Sequence, residues 1–128
     1  MESPYKGKTG LTRIWNALGY SLDGLRAAYR CEEAFRQEVW LALVMVPAAL
    51  VLDVGPSFRA LMIGSVLLLL IVELLNSAIE ATVDRVSLDD HRLAKRAKDI
   101  GSAAVLVAIG NLAVVWAIAL TGVLFTRP

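Results

Sequence analysis

A run of uncharged, almost wholly apolar residues from Ala60 to Val72 passes without interruption into Glu73, and that junction limits the chain more than any other feature. No Pro or Gly lies between Ser65 and Asp84, so the stretch is predicted to be one helix. At about 3.6 residues per turn, Glu73, Asn76, Glu80 and Asp84 fall on one side of it. Glu73 and Glu80 stack nearly in line, separated by about 10 Å along the axis. A helix that leaves an apolar run and then shows carboxylates and an amide on one face invites a chemical reading.

The remaining apolar residues are also gathered in blocks. Hydrophobic residues make up 57 % of 128, and their concentration in long runs is a membrane pattern. Membrane helices are predicted over 35–52, 58–84 and 100–126. Pro47 falls inside the first, where neighbouring helices can satisfy the freed carbonyl. Asp53-Val54-Gly55-Pro56-Ser57 reads as a tight turn with Pro56 at a helix start, and 85–98 as a charged connection. Between residues 11 and 30, Leu11, Ile14, Trp15, Leu18, Leu22, Leu25 and Tyr29 recur at helical spacing, predicting an amphipathic helix lying in the headgroup layer. Residues 1–10 read as a mobile polar arm. The expected fold is an all-α membrane protein in a single domain, 1–128.

Several function classes fall away. A net charge of +1 gives no reason to expect a nucleic-acid partner. The single Cys31 excludes an internal disulfide, and no His/Cys cluster suggests zinc. Gly7-Lys8-Thr9 looks like the end of a phosphate loop, but Glu2 stands where its first Gly belongs. The first twenty residues hold no apolar core of a cleavable signal peptide.

Eleven of the 13 Lys and Arg fall in 1–38 or in the second connection, against Arg59 and Arg127 on the other side. That bias puts the N-terminus and the second connection in the cytoplasm. Glu73 then lies within the hydrocarbon on the cytoplasmic half, with Glu80 and Asp84 shallower. Glu32, Glu33 and Glu38 stand at the entry of the first span, and Lys98-Asp99 at that of the third. Hard carboxylate oxygens without His or Cys favour Mg²⁺, which keeps water and substrate phosphates in its shell. A deep base reaching a lipid hydroxyl, beneath shallow groups that hold a phosphate donor, would suit phosphoryl transfer. Two other readings stand beside it: a non-catalytic membrane protein whose polar stripe ties helices together, and a proton-coupled transporter.

Several segments together resemble the bacterial integral-membrane diacylglycerol kinases. They are Gly19-Tyr20-Ser21 with Gly24-Leu25-Arg26-Ala27-Ala28, Glu32-Glu33-Ala34-Phe35-Arg36-Gln37-Glu38, Val72-Glu73-Leu74-Leu75-Asn76-Ser77-Ala78-Ile79-Glu80-Ala81, Val83-Asp84-Arg85 and Arg96-Ala97-Lys98-Asp99-Ile100-Gly101-Ser102-Ala103-Ala104-Val105. The resemblance implies a homotrimer in the bacterial inner membrane, with three spans and one surface helix per subunit and active sites shared between neighbours. It implies ATP-dependent phosphorylation of diacylglycerol to phosphatidic acid. By it, Glu73 is the general base beside Asn76, and Lys98 and Asp99 are catalytic. Mg²⁺ falls to Glu32 and Glu80. ATP contacts fall on Arg13, Tyr20, Glu32, Glu80, Asp89, Asp90, His91, Lys98 and Asp99. The lipid site falls on Arg26, Ala34, Phe35, Arg36, Gln37, Glu38, Glu73 and Ser102. A sister branch phosphorylates undecaprenol, and the form Phe35-Arg36-Gln37-Glu38 resembles the diacylglycerol branch more closely.

Overall fold

The computed structural model describes residues 9–86 and 91–125, which form four α-helices. They are α1 (Gly10–Cys31), α2 (Glu33–Val51), α3 (Pro56–Val86) and α4 (His91–Phe125). Helices α2, α3 and α4 are long and apolar enough to cross a membrane. α3 is the central member, packing against α2 on one side and most extensively against α4 on the other. Large apolar side chains such as Leu43, Leu67, Leu106 and Val107 remain exposed along these helices. Such surface is at home against lipid or another apolar helix rather than water.

The breaks between helices are explained by local chemistry. Pro56 opens α3 at the position where its fixed φ suits a helix and its missing N–H costs nothing. Arg59, one turn in, reaches back to the end of α2. Its Nε donates to Ala49 O and its Nη2 to Leu52 O, both at 3.0 Å. A guanidinium there satisfies orphan carbonyls and faces the negative end of the helix dipole. The same device recurs at the α1–α2 elbow. Glu32 leaves the helical region (φ −113°, ψ 106°) while its N–H still bonds Ala28 O. Arg36 Nη1 then donates to Tyr29 O at 2.9 Å and to Arg30 O at 2.8 Å. Glu32 is thereby fixed at a bend, with its side chain half-buried.

α1 stands apart from the other three. Ala28 is its buried residue, while Leu11, Ile14, Trp15, Leu18 and Tyr20 are exposed. The core lies at the far end of the long helices, beside the α2–α3 turn. Ala49, Met62, Val66, Trp116 and Ala119 close on one another there. The Trp116 indole N–H donates to Met62 O at 3.2 Å, and Ser65 Oγ to the same carbonyl at 2.7 Å.

Helical structure runs well into the charged segment that the sequence marks as a connection. α3 continues to Val86 and α4 starts at His91. Charges one turn apart therefore satisfy each other along α4, as Lys95 and Asp99 do.

Candidate active site

α3 is 31 residues long, about 46 Å, and so exceeds a hydrocarbon core of about 30 Å. Its last turns carry the polar face. Glu73 is 5 % exposed, Asn76 and Ser77 each 8 %, and Glu80 is half-buried. Burial this deep for a carboxylate is rare in the absence of a partner. Yet among the described residues Glu73 accepts no hydrogen bond and joins no ion pair; its electrostatic neighbours are Glu32, Glu38 and Glu80. Carboxylates from the α1–α2 elbow, α2 and α3 thus gather around Glu73, with Glu80 two turns further along α3.

Asn76 holds the centre of this group. Its Nδ2 donates to Glu80 Oε1 at 3.4 Å, a long bond at the weak end of the range. Its Oδ1 is buried without a partner, as are Glu38 Oε2 and Ser77 Oγ. Across from it, Gly101 of α4 is buried, and a Cβ added there would strike the Asn76 amide. The missing side chain lets α4 close against α3 at this level. Polar groups that serve only to join helices would bond across helices. Here Glu38 Oε2, Asn76 Oδ1 and Ser77 Oγ are left without a partner, which fits a site better than a strut.

Nearer the helix ends the groups are charged and exposed. Lys98 Nζ lies 2.5 Å from Asp84 Oδ1, linking α4 to α3. Lys95 Nζ lies 2.6 Å from Asp99 Oδ2, within α4. The hydrogen bond to Asp84, reinforced by its charge, holds the Lys98 ammonium above the ordinary lysine pKa. Asp99 does the same for Lys95. Both lysines are therefore cationic at neutral pH. Asp84, His91, Ala94, Lys95, Lys98 and Asp99 surround an open cavity of about 400 Å³. Lys98 and Asp99 are adjacent in the chain but do not pair: Asp99 is taken by Lys95, and Lys98 is partnered by Asp84, one turn beyond Glu80 on the polar face of α3.

The other predicted site residues are placed as follows. Phe35 is buried at the elbow, beside a cavity of about 350 Å³ lined also by Leu25, Arg26, Tyr29, Arg30 and Val39. Arg36 is engaged with the carbonyls closing α1, and Arg26 pairs with Asp23 at 3.3 Å. Ala34, Gln37 and Ser102 are exposed. Arg13 and Tyr20 project from the exposed part of α1, and no hydrogen bond or ion pair joins them to the acidic group. Asp89 and Asp90 lie outside the described residues.

The fit of a metal can be judged from the donors. No group of three or more Asp, Glu, His or Cys among the described residues is arranged to hold an ion by itself. Half-buried Glu32 and Glu80, both close enough to Glu73 to repel it, supply two oxygen donors. Mg²⁺ characteristically takes one or two carboxylates and completes its shell with water and phosphate, so this donor set fits it as part of a nucleotide complex.

Comparison with known proteins converges on one family. The profile described as "Prokaryotic diacylglycerol kinase" matches residues 19–120. The chain is 62 % identical over 120 residues to the diacylglycerol kinase of Pseudomonas aeruginosa, covering 94 % of this chain and 98 % of the relative. It is 55 % identical over 112 residues to that of Escherichia coli K12, covering 88 % and 92 %. Identity to the Haemophilus influenzae enzyme is 45 % over 117 residues, covering 91 % and 96 %. Matches of this extent span the elbow, the acidic face of α3 and the start of α4 alike, and the chain is an enzyme belonging to the prokaryotic diacylglycerol kinase family.

Proposed function

We propose that the protein transfers the γ-phosphoryl group of Mg-ATP to the primary hydroxyl of diacylglycerol, yielding phosphatidic acid at the cytoplasmic face of the bacterial inner membrane. The observation that carries this reading is the buried, unpaired carboxylate of Glu73 at the foot of a face that continues to half-buried Glu80. The family match supplies the substrate class, since the relatives are named diacylglycerol kinases.

In this reading Glu73 accepts the proton of the lipid hydroxyl as that oxygen attacks the γ-phosphorus. The new P–O bond forms as the bond to the β-phosphate oxygen breaks, and ADP leaves with the electron pair. Asn76, bonded to Glu80 and confined by Gly101, fixes the spacing between the deep base and the shallow acid. Glu32 and Glu80 would hold the Mg²⁺ of the nucleotide, which would supply charge neutralisation for the transferred phosphoryl group. Lys98 points a cation over the same region, and Asp99 and His91 line the mouth through which a nucleotide would enter. Arg26 and Phe35 flank the cavity at the elbow, suited to an acyl-glycerol with its polar end toward Glu38 and Glu73.

The family resemblance implies a homotrimer with shared sites, in which Arg13 and Tyr20, exposed on α1, would reach a nucleotide bound by a neighbouring copy and the exposed apolar faces of α2 and α4 would meet other subunits and lipid. Exposed Leu11, Trp15 and Leu18 suit α1 to the membrane surface. The test is a competition. The full-length protein receives labelled ATP with diacylglycerol and undecaprenol together, and the labelled lipid is identified. Label in phosphatidic acid is expected. Label in undecaprenyl phosphate would move the enzyme to the sister branch, and no labelled lipid would overturn the reaction.

A further inference from the structure

Among the described residues, the Asp84–Lys98 pair joins two helices, whereas Arg26–Asp23 and Lys95–Asp99 each lie within one. We propose that Asp84 is a positioning residue for phosphoryl transfer, holding the Lys98 ammonium against α3 beside Glu80, where the γ-phosphate is to be neutralised. The proposal rests on the reading of Lys98 given above and adds the group that aims it.

Three observations support it. Lys98 starts from a different helix, and its side chain is 42 % exposed; an untethered ammonium on a four-carbon stem would sample many directions. Asp84 sits one turn beyond Glu80 on the same face of α3, so the tether brings the cation within reach of the proposed metal-binding acid. Lys98 is in fact close enough to Glu80 to feel its charge. An ammonium also has three N–H donors, so one bond to Asp84 leaves two for phosphate oxygens.

A purely structural strut is the competing account. With its side chains 42 % and 64 % exposed, the pair has little capacity to stabilise the fold, because water and salt screen it. Lys95 is already engaged, by Asp99 within α4.

The experiment compares Asp84→Asn, Asp84→Glu and Lys98→Ala in the full-length protein, in mixed micelles of detergent and diacylglycerol with Mg-ATP varied. Asp84→Asn is expected to lower kcat roughly tenfold to a hundredfold, with KM for Mg-ATP moved far less. Thermal unfolding should be unchanged, and Asp84→Glu should regain most of the loss. Normal kcat in Asp84→Asn beside an inactive Lys98→Ala would overturn the positioning role and leave the reading of Lys98 intact. A loss in Asp84→Asn that tracks a lower unfolding temperature, with no rescue by Asp84→Glu, would make the pair a strut. Normal kcat in Lys98→Ala would remove both.

Discussion

The two ends of the helix bundle are built to opposite rules. Beside the α2–α3 turn, Ala49, Met62, Val66, Trp116 and Ala119 close on one another, and the polar atoms that enter are bonded: Trp116 and Ser65 donate to Met62 O, and Arg59 to Ala49 O and Leu52 O. At the other end Glu73, Asn76 and Ser77 are equally deep, yet Glu38 Oε2, Asn76 Oδ1 and Ser77 Oγ find no partner. A buried polar atom left unpaired costs about 1–3 kcal/mol, so a fold selected for stability alone would have treated both ends like the first. The contrast separates the half that holds the helices together from the half proposed to bind and react.

Substitutions can break or sharpen that division. The largest effect is expected from Glu80→Ala, which removes a proposed ligand of the nucleotide's metal. kcat/KM should fall about a thousandfold, about 4 kcal/mol in transition-state stabilisation, with thermal unfolding unchanged. Trp116→Ala should do the reverse, destabilising the fold by about 3 kcal/mol while activity per folded molecule is retained. If it abolished turnover in protein that is still folded, the two halves would not be separable. Gly101→Ala stands between them. Its Cβ meets the Asn76 amide, so stability should drop by about 2 kcal/mol and kcat should fall with it. Loss of stability without loss of kcat would show that the position of Asn76 is not critical. The smallest effects are a matched pair. Ser65→Ala removes a bonded hydroxyl and should cost about 1 kcal/mol, whereas Ser77→Ala removes an unpaired one and should be neutral or slightly stabilising.

The fold class was legible because its signals are local. Three apolar runs, a Pro-containing turn at Asp53–Ser57 and the spacing of Glu73, Asn76 and Glu80 need no tertiary information. What the sequence concealed depends on which helix faces which. The charges of 91–98 look like a loop by composition, but the segment is the start of α4, where Lys95 pairs with Asp99 one turn on. Lys98 sits next to Asp99 in the chain, and only the packing of α4 on α3 sends it to Asp84. The work of Arg36 and Arg59 as caps follows from the bends they close, which the sequence does not show. Gly101 faces Asn76 only because α4 packs on α3 at that level, which no local spacing reveals.

The central claim is that the buried carboxylate of Glu73 acts as the base and is not part of the scaffold. The most direct test measures Glu73→Gln twice, for turnover with labelled ATP and diacylglycerol and for thermal unfolding in the same detergent. The expected result is near-total loss of kcat in a protein that unfolds no earlier than the parent, since an amide keeps the shape and cannot take the proton. Turnover close to that of the parent, or a loss matched by collapse of the fold, would contradict it.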